Sequence, residues 1–447
     1  MKVGVVTTSY PRFPDDPAGN FVGEHVRALR ALGHDVEVIA AADAAAATHG
    51  RIDGRIDGRI DGRIHGRIVD GGIDGRIVDR RIDGRIDDRR IDVERGVTRV
   101  PSDGVFYTGG APDLLERAPR RFLAAALFST RLAAAIARHG RRWDSIIAHW
   151  LVPSAVACAI AVQGTPLLAI AHGGDVHTLR RLRLLASVLH LLHARSAQIV
   201  FVSEELRAIA LATIARSPFA TQKLARWIAD ARVQPMGIDV ARFATIPRAP
   251  TNPPTIVVAS RLVPVKGIDV AIAAVAKTRH RVTLVIAGDG PERPRLEQDS
   301  RAAHDTRAAH DTGAAHDTGV AHDTRATHDS AAQRVVFLGA IDTRARDRLL
   351  GEASIVLVPS RVLGAGRSEG TPLIALEALA AGIPVIASAV GGLRTVRGVA
   401  LVPPDDPEAL ARAIDRVLDA PPDPAVLRAA VAHLDWRRVI DTLVRSS

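Results

Sequence analysis

Apolar residues along the chain fall into short continuous runs, and stretches of helical spacing separate them. Val3 to Thr7, Val36 to Ala40, Ser145 to Ala148, Leu167 to Ala171 and Ile199 to Val202 read as strands. Between the first two, Phe21, Val22, His25, Val26, Leu29 and Leu32 recur at helical spacing, and Gly33 closes that helix. Leu123 to Ala137 is a helix of Ala and Leu, and Ser203-Glu204-Glu205 reads as an N-cap with acidic first-turn residues. The second half continues the scheme. Thr255 to Ala259, Val282 to Ile286 and Ile355 to Val358 are strand-like runs that each open into a Gly, Pro or basic loop. This alternation predicts buried parallel strands, and open α/β sheets bind their ligands at the C-terminal ends of such strands.

The densest chemistry lies in Ser368-Glu369-Gly370-Thr371-Pro372-Leu373-Ile374-Ala375-Leu376-Glu377. Pro372 suits the first position of a helix running from Leu373 to Ala381, because its missing N–H costs nothing there. The amides of Gly370, Thr371 and Leu373 then point out of a helix N-terminus, a place for an anion or a polar sugar edge. Glu377 shares a helix face with Leu373, so both acids can reach one ligand. Taken alone, such a pair is equally a helix cap and a solvated glutamate. Its company changes the picture: Ser260-Arg261-Leu262-Val263-Pro264-Val265-Lys266-Gly267, Ala287-Gly288-Asp289-Gly290-Pro291, Pro359-Ser360, Ala389-Val390-Gly391-Gly392, Ala171-His172-Gly173-Gly174-Asp175, and Val233 to Asp239.

In this order the motifs resemble the retaining glycosyltransferases of the GT-B class, family four (glycosyl transferases group 1), from Met1 to about Val444. The resemblance implies an α/β GT-B fold, two Rossmann-like doubly wound domains facing across a cleft. Residues 1–246 would form the acceptor-side domain, 254–430 the nucleotide-sugar-binding domain, and 431–447 a C-terminal helix packing back on the first domain. It implies transfer of a hexose from a nucleotide-diphosphate sugar to a glycan or lipid-linked acceptor, with retention of anomeric configuration. His172 would sit beside the transferred sugar, and Glu369 would face it, with the backbone of Gly370, Thr371, Pro372 and Leu373 around it. Glu377 would take the ribose hydroxyls, and Gly19, Gly288 and Gly290 would line the donor's path. Many relatives carry Gly-Gly at the first of these positions; here Ala18-Gly19-Asn20 leaves one glycine. His149 is a second candidate, and Asp175 is expected to orient its loop or cap a helix. Arg261 and Lys266 suit the diphosphate, a rigid fork beside a compact charge. Neither a metal nor a cofactor is called for, the nucleotide sugar being substrate, and activity in EDTA is expected.

Composition narrows the remainder. The 447 residues suffice for two domains of about 200 residues each. No apolar run approaches the roughly 18 residues of a membrane-spanning helix. The first residues read as a buried strand and lack the apolar core of a signal peptide. Cys158 is the single cysteine, expected to pack between helices in a reducing cytosol. The net charge is +10; residues 51–92 contribute +1 and 301–330 contribute −2, which leaves +11 on the rest. Clusters such as Arg180-Arg181-Leu182-Arg183 and Arg117 to Arg121 exceed what a diphosphate needs. They read as a solvated face, with peripheral contact at the inner membrane face as a second reading; no nucleic-acid motif accompanies them.

Two tracts stand apart. Residues 51–92 repeat Arg-Ile-Asp-Gly, whose recurrent glycine opposes a helix and whose composition suits a disordered insert. The 300–330 insert repeats Ala-Ala-His-Asp-Thr, placing His304, His310, His316, His322 and His328 each before an Asp. That period fits neither helix nor strand and fixes no zinc or nickel coordination sphere. Deleting either tract should leave sugar transfer largely intact. A nucleotide-dependent oxidoreductase would need Gly-x-Gly-x-x-Gly after the first strand, and Thr7-Thr8-Ser9-Tyr10-Pro11 does not supply it. A catalytically silent nucleotide-binding or interaction protein of the same fold remains the alternative.

Overall fold

Two sheets, each wholly parallel, organise the protein in its computed structural model, which describes residues 1–13, 16, 18–42, 96–102, 106, 121–218, 220–302, 334–364 and 368–444. Residues 51–92 and the repeated histidines from His304 to His328 lie outside the described residues, and so do the expectations attached to them.

The first sheet comprises β1 (Lys2–Thr7), β2 (Asp35–Ala42), β3 (Val97–Pro101), β4 (Ser145–His149), β5 (Leu167–Ala171), β6 (Gln198–Phe201) and β7 (Arg232–Val233). Their order is β3-β2-β1-β4-β5-β6-β7. The second comprises β8 (Thr255–Ala259), β9 (Thr283–Ala287), β10 (Arg334–Gly339), β11 (Ala353–Val358), β12 (Val385–Ser388) and β13 (Val399–Val402), ordered β10-β9-β8-β11-β12-β13. Both sheets are doubly wound. The strand order reverses between β1 and β4 and again between β8 and β11, and ligands of such folds bind at that point.

Side-chain alternation explains why these runs are strands with both faces covered. Val257, Val356 and Val358 enter one apolar layer, while Ile256, Val258, Ile355 and Leu357 enter the layer on the opposite face. Ladder partners set the strand ends: Thr283 N–H donates to Pro254 O at 3.0 Å, so β9 starts one residue later than the apolar run suggests. Ser203 caps its helix as expected, its Oγ accepting from Leu206 N–H at 3.4 Å. Pro372 does not occupy the first helical position. With ψ at 123° it is the N-cap, and the helix runs Leu373–Ala380. Cys158 is fully buried, which pushes its thiol pKa far up and suits packing rather than reactivity.

The C-terminal helix Trp436–Val444 lies against helix Asn20–Ala31, and Trp436, Val439, Ile440 and Leu443 join the core of the first lobe. Between the lobes, Ser368 Oγ donates to Glu205 Oε1 at 2.8 Å. Among the described residues no helix is long and apolar enough to cross a membrane.

Candidate functional site

On the second lobe, the segment after β8 and the segment after β11 converge at the switch point. Lys266 ends a short turn, Pro264–Lys266, and Gly267 follows in the left-handed region at φ 60°. The Lys266 ammonium forms an ion pair with Glu369 Oε1, while Ser360 Oγ donates to Glu369 Oε2 at 2.7 Å. Both carboxylate oxygens are therefore engaged, and both charged side chains are largely buried, at 18% and 15% exposure. The Gly391-Gly392 turn fixes the backbone of this loop, with Gly392 N–H donating to Gly370 O at 3.0 Å.

On the first lobe, the ends of β4 and β5 carry His149 and His172. Asp175 ties these ends together: its carboxylate accepts from Leu151 N–H at 2.7 Å, His172 N–H at 3.1 Å, Gly173 N–H at 3.0 Å and Val176 N–H at 2.9 Å. Burial pushes its pKa up, and the four N–H groups pull against that. The expected role of Asp175 in orienting the loop is what these bonds describe.

His172 does not stand alone. Its Nε2 lies 3.0 Å from His149 Nδ1, and His149 Nε2 lies 3.0 Å from His25 Nδ1. Burial drives the pKa of His25 and of His172 down to about 3 and that of His149 well below its ordinary value, so all three rings are neutral at pH 7. Phe21 and Trp150 pack beside this file, their ring centroids 5.3 Å and 4.9 Å from that of His172. Trp150 holds φ at 69°, a region that bulky residues rarely adopt and that clusters at functional sites.

A cavity of about 350 Å³ opens between the lobes, lined by Phe21, Trp150, His172, Val202 and Met236 on one side. Arg261, Glu369, Gly370, Thr371, Pro372 and Leu373 line the other. The structure thus brings His172, Arg261, Glu369 and the 370–373 turn around one space, with Lys266 joined through Glu369. Glu377 is not among the lining residues. It is buried, and its Oε1 pairs with Arg346 Nη1 at 3.0 Å. Burial still pushes its pKa up to about 7; Arg346 opposes the rise and Glu24 of the first lobe adds to it. Nor do Gly19, Gly288 or Gly290 line the cavity. Each is needed for close backbone packing, since a Cβ would fall 2.5 Å from Ser9 O, 1.8 Å from Ser260 O and 2.4 Å from Leu262 O respectively. Among the described residues, no cluster of three or more His, Cys, Asp or Glu is arranged to hold a metal.

Sequence reasoning missed Phe21, Trp150, Met236, Arg346 and the depth of His25. A usable signal existed for Trp150, a bulky aromatic directly after a strand end in a chain with only 3% aromatic residues.

Two doubly wound lobes facing across a cleft, with a basic and acidic loop set on one and histidines on the other, have the GT-B architecture. Within the chain, residues 253–420, most of the second lobe, match the family model described as glycosyl transferases group 1. The chain is similar to the GDP-mannose-dependent alpha-(1-6)-phosphatidylinositol monomannoside mannosyltransferase of Mycobacterium tuberculosis, 33% identical over 171 residues. That match covers 35% of this chain and 38% of the relative, so the chain spans well under half the length of that protein. The D-inositol 3-phosphate glycosyltransferase of Acidothermus cellulolyticus is 31% identical over 235 residues, 48% of this chain and 46% of the relative. Among solved structures, Anabaena HepE in complex with UDP and glucose shares the fold at TM-score 0.60 and 16% identity, covering 100% of this chain and 99% of that one.

Proposed function

We propose that this chain transfers a hexose from a nucleotide-diphosphate sugar to a glycan or lipid-linked acceptor, with retention of anomeric configuration. The observation that carries the reading is the interlobe cavity walled by His172 on one side and by Arg261, Glu369 and the 370–373 turn on the other. On this reading residues 1–246 hold the acceptor, 254–430 the donor, and 431–447 clasp the first lobe. The single donor named for the mycobacterial relative, GDP-mannose, supports a nucleotide-diphosphate sugar.

The donor diphosphate carries about two negative charges, and breaking the sugar–phosphate bond adds charge to the leaving oxygen. Arg261 and Lys266 would meet that charge, in the manner of preorganised groups that often supply the largest catalytic effect. Glu369 would hold Lys266 in place and face the sugar. Glu377, released from Arg346 or sharing it, would take the ribose hydroxyls, and Gly19, Gly288 and Gly290 would shape the donor's surroundings. In the favoured step, the acceptor oxygen forms its bond to the anomeric carbon on the face that the phosphate leaves, and its proton passes to the leaving phosphate oxygen. Glu369 is the one carboxylate among the described lining residues, and both its oxygens are already engaged, which disfavours it as a covalent nucleophile. The reaction would need no metal, since two cations do that work, and would take place in the cytoplasm or at the inner membrane face.

The test is a panel of nucleotide sugars, with EDTA present, read by mass spectrometry for nucleoside diphosphate release and by NMR for product configuration. We expect release from at least one donor and a retained anomer. An inverted product, or a sugar trapped on Glu369, would overturn the mechanism, and no release from any donor would overturn the function.

A further inference from the structure

The file of histidines running inward from the cavity is more than packing. His172 Nε2 is 3.0 Å from His149 Nδ1, and His149 Nε2 is 3.0 Å from His25 Nδ1. Between neutral imidazoles each such contact needs one N–H donor and one bare acceptor. Two proton arrangements satisfy both contacts. Either every ring carries its proton on Nδ1, or every ring carries it on Nε2. The choice is therefore collective, and whatever happens at the far end of the file dictates the state of His172.

The far end is unambiguous. His25 is fully buried, its Nε2 has no hydrogen-bond partner, and its ring stacks on Trp436 at 4.7 Å between centroids and 9° between planes. An orphaned buried N–H is rarer in folded proteins than an under-used acceptor. The bare acceptor at His25 Nε2 is thus the better-tolerated end, and it selects protons on Nδ1 throughout. His149 Nδ1–H then donates to His172 Nε2, and His25 Nδ1–H donates to His149 Nε2. His172 lines the cavity with Nε2 occupied, so Nδ1–H is the polar ring atom left for a ligand.

We propose that His25 and His149 are positioning residues that lock His172 as a hydrogen-bond donor, through Nδ1–H, to an acceptor oxygen of the cavity ligand. The ligand chemistry selected is a sugar hydroxyl or phosphate oxygen that accepts, rather than a group that only donates. This inference rests on the proposed sugar transfer for its ligand, but the tautomer assignment does not. Trp436, which covers the end of the file from the C-terminal helix, excludes the water that would otherwise relax the choice.

The experiment is long-range proton–nitrogen NMR on the full chain with isotope-labelled histidine, assigned through single variants, together with turnover of whichever donor the wild type accepts. In the wild type we expect pyrrole-type Nδ1 and pyridine-type Nε2 at His25, His149 and His172. H149F removes both contacts and should release His172 from its single tautomer, with about a tenfold loss of kcat/KM, the worth of one neutral hydrogen bond. H149Q can accept from His25 and donate to His172, so it should restore both the His172 tautomer and most of the turnover. That rescue also covers the case in which H149F does not fold. A proton on His172 Nε2 in the wild type would overturn the proposal, as would a folded H149F or H149Q whose tautomer and turnover do not move together. If no nucleotide sugar is turned over at all, the transfer reading fails while the NMR still decides the lock.

Discussion

Replacing Gly391 with Ala should disable the site without substituting any charged residue. Gly391 has φ of 54°, and a Cβ built there would lie 1.9 Å from Glu369 O. Real Cβ contacts essentially never fall under 3.0 Å, so the Glu369 carbonyl would have to retreat by about 1 Å. The same residue's carboxylate bridges Lys266 and Ser360, so the displacement passes directly to the ion pair facing the cavity. A misplacement of that size at a reacting centre costs about 10²-fold in rate. The left-handed backbone adds about 1–2 kcal/mol of strain. Gly398 is the matched control: it has φ of 81°, but its Cβ would meet only the side chains of Ala430, Leu379 and Leu427, the nearest at 3.1 Å, none of which lines the cavity. Nucleoside diphosphate release and thermal unfolding should be measured on both variants. G391A should lose about two orders of magnitude in turnover while G398A loses only stability. Equal turnover of G391A and wild type would refute the claim that this turn sets the Glu369 loop.

Acid should unfold the protein steeply. His25 and His149 have lowered native pKa values, so only the unfolded chain takes up their protons as pH falls below the ordinary 6.5, and stability is lost across that window. The two fully buried rings should contribute a slope of about 2.7 kcal/mol per pH unit near pH 5. Urea unfolding of an H25Q/H149Q double variant should show a flatter profile, and an unchanged slope would contradict the assignment. R346M removes the partner of buried Glu377 and should cost stability that grows as pH rises through about 7, where the wild-type carboxyl becomes ionised. Because burial already pushes the Glu377 carboxyl up, the loss should shrink in acid, where that carboxyl is protonated in both states. A loss independent of pH would sink this reading of the pair.

What could be read from the sequence was local. β5 and β8 begin and end where their apolar runs do, because a fully buried parallel strand must be apolar throughout. The Glu369 loop was visible because its turn chemistry sits within ten residues. Lys266 and Arg261 were visible through family resemblance, yet the pairing of Lys266 with Glu369 is a property of the switch point, which only the folded sheet creates. His25 read as one more position on an apolar helix face. Its partner His149 is 124 residues away, and no periodicity links the two. Nothing in the sequence around Arg346 marks it; only the burial of Glu377 beside it gives it a task. Pro372 was misplaced by one residue because Pro serves equally before and at the start of a helix, and ψ alone distinguishes them.

The most direct measurement is calorimetric titration of UDP and of GDP into the wild type and into an R261M/K266M variant, with the corresponding nucleosides as controls. At least one diphosphate should bind the wild type and bind the variant about 10²-fold or more weakly, as the loss of two charge-assisted contacts requires, with nucleoside binding unchanged. Equal diphosphate binding by both proteins, or none by the wild type, would contradict that role for Arg261 and Lys266.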